Sequence, residues 1–386
     1  QDGPEWAMDP RMGDGPAACL IDAHTTESIA LPSRESLAAA IAEAEAILHE
    51  AAPPRLSAQE VQDYSAKGYL IARSVVPEHL ASIIREQIIY PGLKKAGFDV
   101  DDPATWGRGG LAKEPWSWKC WIASFIGSET PYSGGRYSFQ SAFDPSCHEG
   151  ISQFDLEVLN RAFQLASKVA ALRVSAMMDQ LVGPGEWDDE ALANGLLPTR
   201  LHVRYGLQAK DPRPDGRRYR WPPIGWHIDG AWNMHKLGQK KGQFGARPVR
   251  PDLCAVGILA YSKVLPGGGM TGVIPGSHVN NLRTVFRFTR KMLGGISNLF
   301  LLLLNSLFGG HAVDPADDVG YFRPGDMLLM HGHLAHSSTW NVQCQPRLAT
   351  DIRIDYKRPH DGNSLLEMGR RHGALPATLA KDATPL

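Results

Sequence analysis

The sequence has few cysteines, no long apolar run and almost no net charge. Only five of its 386 residues are cysteines, and none of them forms a Cys-x-x-Cys pair. An odd, dispersed set of cysteines disfavours a disulfide scaffold and predicts a reducing, cytoplasmic setting. No apolar run reaches the roughly 20 residues that span a bilayer, and no secretory signal is visible at the N-terminus. We therefore expect neither a transmembrane segment nor a secreted protein.

The net charge of −1 conceals one basic segment. Residues 204–291 contain 16 Lys or Arg against 4 Asp or Glu, and such a surplus attracts anions when it lies on one surface. Solvated loops explain the same composition. A nucleic-acid partner is not expected, because no recognised nucleic-acid-binding module is present.

Helix-forming segments come first in the chain and β-rich segments follow. Residues 34–51 are rich in strong helix formers after a potential N-cap at Ser33, and residues 154–182 form a second long helical pattern. After about residue 199, short β-rich runs alternate with Gly, Pro and Asp clusters, which favours an antiparallel sandwich or barrel. This order predicts an α+β protein with a β-barrel core.

Changes of composition along the chain predict its division into parts. They are a tag remnant over 1–9, a helical extension over 10–57, a main domain over 58–358 with an insert at about 279–318, and a C-terminal tail over 359–386. Within the insert, residues 283–308 are first basic and then apolar. This segment is either a buried helix or a surface for self-association or membrane contact.

The stretch GWHIDG at residues 225–230 carries the first candidate metal ligands. Side chains two apart on a strand share a face, so His227 and Asp229 can bind one metal from one side. The same spacing also occurs in ordinary hydrogen-bonded pairs, so a third ligand is needed. Two histidines and one carboxylate leave three positions of iron(II) open for a chelating 2-oxo acid and oxygen.

Three histidines further along are candidates for the third ligand. His331, His333 and His336 fall within six positions, and Arg347 follows them. A turn over residues 341–346 is expected to fold the strand of Arg347 back antiparallel to the strand of His336. A buried guanidinium can bind a carboxylate of 2-oxoglutarate through two parallel hydrogen bonds, which a lysine cannot do.

These residues together resemble the phytanoyl-CoA dioxygenase family of iron(II)- and 2-oxoglutarate-dependent oxygenases. His336, Ser338 and Arg347 form the pattern H-x-S-x(8)-R, which follows the H-x-D pair at 227 and 229. Three other stretches agree with the family: AKGYLIARSVVPEHLASIIRE at 66–86, TGVIPGSH at 271–278 and RPGDMLLMHG at 323–332. The resemblance extends over residues 58–358.

The resemblance implies a double-stranded β-helix, the cupin-like jelly roll, with flanking N-terminal helices. The residues that it assigns to iron(II) are His227, Asp229 and His336, and those that it assigns to the distal carboxylate of 2-oxoglutarate are Arg347 and Ser338. It implies oxidation of a C–H bond by O2, with release of succinate and CO2 and with ascorbate as an auxiliary reductant.

Some neighbouring residues take lesser roles on the same resemblance. Asp229 favours hydroxylation, with desaturation or ring closure as other outcomes, because related halogenases carry a small residue in place of this carboxylate. His331 and His333 are then packing residues near the metal. Arg353 shares a strand face with Arg347 and is the alternative anchor for 2-oxoglutarate.

Five further residues are candidates for lining the pocket. His202 and Arg204 share a face of the strand LHVRYGL and are candidates for contact with the co-substrate. Trp118, Trp232 and Asn233 are candidates for contact with the substrate. The expected substrate is a small, anionic and partly hydrophobic organic molecule.

Three other functions stay open at this point. An iron oxygenase without 2-oxoglutarate is disfavoured by Arg347. A non-catalytic cupin-like binding protein is disfavoured by the complete ligand set. A nucleic-acid-modifying dioxygenase is suggested by the basic segment alone.

Overall fold

The computed structural model describes part of the chain. The described residues are 33–50, 55–102, 105–106, 136–138, 153–192, 195–196, 200–204, 229, 253–279, 313–339, 341, 343 and 345–357. Within these ranges, no helix is both long enough and apolar enough to cross a membrane.

Some of the helices begin at side-chain caps that the sequence offers. Their bounds are α1 Arg34–His49, α2 Ala58–Lys67, α3 Glu78–Ile84, α4 Tyr90–Lys95, α5 Gln153–Leu181 and α6 Pro315–Val319, with a π-helical segment Arg85–Ile89 between α3 and α4 and a 3-10 turn Glu190–Leu192. Ser33 caps α1 by accepting a hydrogen bond from the backbone N–H of Ser36. Ser57 and Glu60 form a reciprocal capping box at α2.

Helix α1 packs on the long helix α5. Its buried residues Leu37, Ala40, Ala44 and Ile47 recur every three or four positions, which places them on one face of the helix. They join one apolar core with the buried face of α5 and with the large sheet. The N-terminal segment that was predicted to be a helical extension thus shares a core with the large sheet. The domain boundaries stay predictions.

The strands form two antiparallel sheets. Their bounds are β1 Tyr69–Ala72, β2 Arg136–Ser138, β3 Arg200–Arg204, β4 Leu253–Ala260, β5 Thr271–Val273, β6 Met327–His331, β7 His336–Ser338 and β8 Arg347–Asp355. The large sheet has the order β1-β6-β4-β8-β3-β2, and β5 pairs with β7 in a small sheet. The α+β class predicted from the sequence is present in this architecture, while the closed β-helix stays a prediction.

The predicted turn-back of the Arg347 strand onto the His336 strand is wrong. Strand β7 pairs with β5, with His336 opposite Val273. Strand β8 instead lies in the other sheet between β4 and β3, with Arg347 opposite Arg204. Residues 341–346 therefore carry the chain from one sheet to the other, as a crossing connection does in a two-sheet structure.

The two faces of the large sheet have different surroundings. Leu348, Ile352 and Ile354 of β8 belong to the core shared with the helices. The opposite face adjoins a second core between the sheets, to which Val256 of the large sheet and Val273 of the small sheet both contribute. Alternation along β8 directs Arg347 and its i+2 neighbours to this second side. The charged residues of β8 thus lie between the sheets.

Candidate metal and anion site

The carboxylate of Asp229 lies between the two sheets. Its Oδ2 is 3.6 Å from Nε2 of His336 on β7, and both its oxygens lie within 3.4 Å of Nη2 of Arg353 on β8. Its side chain is 12% exposed. Asp229 lies in a turn, where the sequence predicted a strand. The structure thus brings together two of the three predicted metal ligands.

The two ring nitrogens of His336 face different groups. Nδ1 of His336 lies 2.9 Å from the carbonyl oxygen of Leu334, and because a carbonyl only accepts, Nδ1 carries a hydrogen. Nε2 faces the Asp229 carboxylate. Histidines that bind metals commonly donate their other N–H to a backbone carbonyl in this way.

The two donor atoms, His336 Nε2 and Asp229 Oδ2, are nearly as close together as two ligands of one ion. Two ligands each about 2.1 Å from an ion are about 3.0 Å apart at a right angle and about 3.4 Å apart at a tetrahedral angle. The distance of 3.6 Å between His336 Nε2 and Asp229 Oδ2 is slightly longer. An imidazole nitrogen and a carboxylate oxygen are both ligands that iron(II) accepts. The donor set therefore fits a metal cation.

Arg347 is a buried cation with no acidic partner among the described residues. Arg347 is 4% exposed. Among the described residues, its Nε has no hydrogen-bond partner, and its Nη1 lies 3.9 Å from the thioether sulfur of Met270. Burial lowers the pKa of Arg347 to about 10, and the more distant Asp314 opposes that effect. A buried guanidinium in this state lacks an anion. A carboxylate of a ligand would supply the acceptors that it lacks.

Met270 connects Arg347 to the strand pair that carries His336. It directly precedes β5, and its carbonyl oxygen accepts hydrogen bonds from the backbone and the hydroxyl of Thr339, just after β7. Arg347 thus reaches from the large sheet to the small one. Sequence analysis did not single out Met270, since a lone methionine carries no signal of such a contact.

A row of polar residues lies beside Arg347 on the inner face of the large sheet. His202 donates from Nε2 to Oδ1 of Asp351 at 2.9 Å, and Nε of Arg353 is 3.7 Å from Oδ2 of Asp351. Burial lowers the pKa of His202, while its hydrogen bond to Asp351 opposes the shift. His202 therefore has a protein partner of its own. Arg204 lies next to Arg347 across the strand pair.

Sequence analysis missed Asp351, although a signal for it was present. Alternation along RLATDIR places Asp351 on the same face as Arg347 and Arg353. An acid between two arginines on one strand face predicts an ion pair with at least one of them.

The two other histidines lie on the helix-facing side. His331 ends β6 in phase with Met327 and Leu329, which pack against the helices. Its ring lies 5.1 Å from that of His278 and 5.6 Å from that of His333. These three histidines form a buried cluster, and no ligand role follows from their arrangement.

The remaining predicted site residues lie outside what the structure describes. They are His227, Trp118, Trp232 and Asn233, together with the side chain of Ser338 and most of the apolar insert. The backbone of Ser338 pairs with Thr271. Among the described residues, no group of three His, Cys, Asp or Glu side chains could hold a metal ion. The third ligand therefore stays a prediction.

Comparisons with known proteins give matches among solved structures. No family model matches the chain, and no curated protein matches it. The non-heme alpha-ketoglutarate-dependent carbocyclase SnoK from nogalamycin biosynthesis is similar over 82% of this chain and 93% of its own, at 16% identity and a TM-score of 0.41. EctD from S. alaskensis with bound Fe is similar over 79% of this chain and 78% of its own, at 15% identity and a TM-score of 0.38.

A third similar structure is the epimerase SnoN in complex with Fe3+, alpha-ketoglutarate and nogalamycin RO. It covers 85% of this chain and 92% of its own, at 14% identity and a TM-score of 0.37. Membership of the phytanoyl-CoA dioxygenase family stays a prediction, since no family model matches.

Proposed function

We propose that the protein is an iron(II)- and 2-oxoglutarate-dependent dioxygenase with a double-stranded β-helix core. One observation carries this proposal. Arg347, a buried arginine without an acidic partner among the described residues, shares the layer between the sheets with His336 and Asp229, whose Nε2 and Oδ2 atoms lie 3.6 Å apart. A metal that must also bind a dicarboxylate requires both features together.

The residues of the chain have distinct roles in this proposal. His336, through Nε2, and Asp229 would hold the metal, with His227 as the third ligand. Arg347 would bind the distal carboxylate of 2-oxoglutarate, with Ser338 as its second partner. When bound, iron(II) with 2-oxoglutarate and O2 supplies the oxidising power for attack on an unactivated C–H bond, with succinate and CO2 as products.

The protein also controls the surroundings of the reaction. Both sheets contribute apolar residues to the layer around the pair, including Val256 and Val273. Such a lining excludes water from the metal and strengthens the electrostatic attraction of Arg347 for a carboxylate. The positive charge of Arg347 therefore contributes strongly to the binding of 2-oxoglutarate. The carboxylate of the bound co-substrate then neutralises that charge.

The reaction and the substrate class are finer parts of the proposal. Asp229 favours hydroxylation, with desaturation or ring closure as other outcomes. The basic surplus over residues 204–291 favours a small anionic substrate. The apolar run at residues 296–308 and the aromatic residues between positions 106 and 137 favour a partly hydrophobic substrate.

The test is anaerobic addition of iron(II) and 2-oxoglutarate to the metal-free protein. A bound chelate gives a visible charge-transfer band. We expect this band in the wild type and in His331→Ala, and its loss in His336→Ala, with unchanged far-UV circular dichroism in all three. A band that persists in His336→Ala would refute the assignment of this ligand.

The same experiment separates two other functions. A folded protein that binds metal but gives no band with 2-oxoglutarate would favour an oxygenase with another co-substrate or a cupin-like binding protein. Salt-dependent retention on a polyanion column would instead favour a nucleic-acid substrate.

A further inference from the structure

A third charged group contacts the carboxylate that is proposed to bind the metal. Nη2 of Arg353 lies 3.3 Å from Oδ1 and 3.4 Å from Oδ2 of Asp229. On its other side, Oδ2 of Asp229 faces Nε2 of His336 at 3.6 Å. The carboxylate is thus held between a guanidinium on the large sheet and an imidazole on the small sheet.

Arg353 is itself held in place. At Arg353, strand β8 pairs with β4, and Arg353 lies opposite the buried Val256. Among the described residues, Nε of Arg353 has no hydrogen-bond partner, but it lies 3.7 Å from Oδ2 of Asp351, which accepts a hydrogen bond from His202. The strand pairing fixes the backbone of Arg353 and the charge of Asp351 attracts its guanidinium, so Arg353 can set the orientation of the Asp229 carboxylate.

The two arginines of β8 therefore differ in their partners. Arg353 contacts two carboxylates, those of Asp229 and Asp351. Arg347, six residues earlier on the same face, contacts no carboxylate among the described residues. An arginine that already has two acidic partners is a poor anchor for a co-substrate, whereas an arginine without one is a good anchor.

We infer that Arg353 is a positioning residue that holds the Asp229 carboxylate beside His336, in the position from which it binds the metal. This inference rests on the proposed function. Nη2 of Arg353 lies within 3.4 Å of both oxygens of Asp229, so loss of its guanidinium lets the carboxylate rotate away from His336.

The inference is tested by metal binding without co-substrate. Mn(II) is titrated into metal-free wild type, Arg353→Gln and Arg353→Lys, and free Mn(II) is measured by electron paramagnetic resonance. We expect about a 10- to 100-fold weaker affinity for Mn(II) in Arg353→Gln, which is the effect of losing a partner that orients a metal ligand. Arg353→Lys keeps the charge next to the carboxylate, so we expect it to restore most of the affinity.

Two further variants separate positioning from the general loss of an arginine and from folding. Arg161→Gln removes an exposed arginine that pairs with Glu45 on the surface, and we expect it to leave the Mn(II) affinity within about twofold of wild type. In an Asp229→Asn background, Arg353→Gln is expected to have no further effect, because the charged oxygen that it orients is gone. Thermal unfolding of each variant shows whether the fold is retained.

The outcomes are distinct. If the wild type binds no Mn(II), the proposed function fails and the inference fails with it. If the wild type binds Mn(II) and folded Arg353→Gln binds it equally well, the inference is overturned while the proposed function stands. If Arg353→Gln weakens binding equally in the Asp229→Asn background, Arg353 acts on the fold rather than on the carboxylate, and the inference is again overturned.

Discussion

Replacement of Arg347 by methionine should raise stability and weaken co-substrate binding at the same time. Burial lowers the pKa of Arg347 from 12.5 to about 10, which corresponds to about 3 kcal/mol of destabilisation of the charged form. The folded-state pKa is the lower one, so the unfolded chain holds the proton more tightly. The full penalty therefore applies at any pH below about 10, and methionine removes it.

The expected change in melting temperature follows from the size of the chain. With about 2.1 cal/mol/K of unfolding entropy per residue, the 386 residues give about 0.8 kcal/mol/K. A gain of about 3 kcal/mol then raises Tm by about 4 °C in the free protein.

The effect on binding has the opposite sign. Truncation of one partner of a buried charge pair costs about 2 to 5 kcal/mol, which weakens 2-oxoglutarate binding by about 30-fold or more. At a concentration 100 times the wild-type Kd, 2-oxoglutarate with Mn(II) raises the wild-type Tm by about 3 °C. In Arg347→Met the same concentration raises Tm by about 1 °C or less.

The assay is thermal unfolding of both proteins with Mn(II), with and without 2-oxoglutarate. Arg161→Met is the matched control, because Arg161 is 64% exposed and forms a surface ion pair with Glu45. Such pairs contribute at most about 1 kcal/mol, so neither Tm nor the ligand effect should change by more than about 1 °C. A lower Tm for Arg347→Met with an undiminished ligand effect would refute the reasoning and make Arg347 a structural residue.

Three other predictions concern the core and the turns. The Tyr64 hydroxyl is buried and has no hydrogen-bond partner within the described ranges, so Tyr64→Phe should leave the free energy of unfolding in urea unchanged or raise it by about 1 kcal/mol. A fall of that size would mean that the hydroxyl is hydrogen-bonded. Burial raises the pKa of the Cys254 thiol to about 12, so iodoacetamide at pH 8 should leave Cys254 unmodified until the protein is unfolded. Peptide mapping measures the modification, and rapid labelling of the native protein would contradict the burial of Cys254. Gly325 has φ +90°, and a Cβ there would collide with the carbonyl oxygen of Val76. Gly325→Ala should therefore lower the free energy of unfolding by more than about 3 kcal/mol. Gly97→Ala should lower it by only about 1 kcal/mol, because φ is +85° there and no atom lies within 4 Å of the added Cβ. Equal urea midpoints for the two alanine variants would refute this account.

The stretch RPGD at residues 323–326 is recognisable in the sequence, but its structural role is not. Asp326 is buried, and it accepts hydrogen bonds from the side chain of Arg73 and the backbone N–H of Ser74 and Arg323. Gly325 approaches Val76 closely in the same turn. The motif therefore joins the end of β1 to the start of β6. Only the contact between distant segments reveals that purpose.

Local features were predictable because their causes are local. The N-cap at Ser33 and the long helix α5 depend on neighbours within a few residues. The common face of His202 and Arg204, and that of Arg347 and Arg353, follow from strand alternation. In each case the responsible atoms are close along the chain.

Strand partnership was not predictable in the same way. A short connection between the segments of His336 and Arg347 suggested a hairpin, but the two strands lie in different sheets. Loop length limits how far two strands can be apart, and it does not choose between pairing within one sheet and crossing to another. The choice depends on which side chains reach the layer between the sheets.

The amino-acid sequence by itself determined the helix starts, the faces of the strands and the residue types suited to a metal and a dicarboxylate. Only the tertiary structure decided that Arg353 contacts Asp229 and Asp351, whereas Arg347 contacts no carboxylate among the described residues. The two arginines have the same chemistry, the same strand and the same face, so their sequence context does not distinguish them. Their roles differ because burial and the positions of Asp229, Asp351 and Met270 are set by segments far apart in the chain.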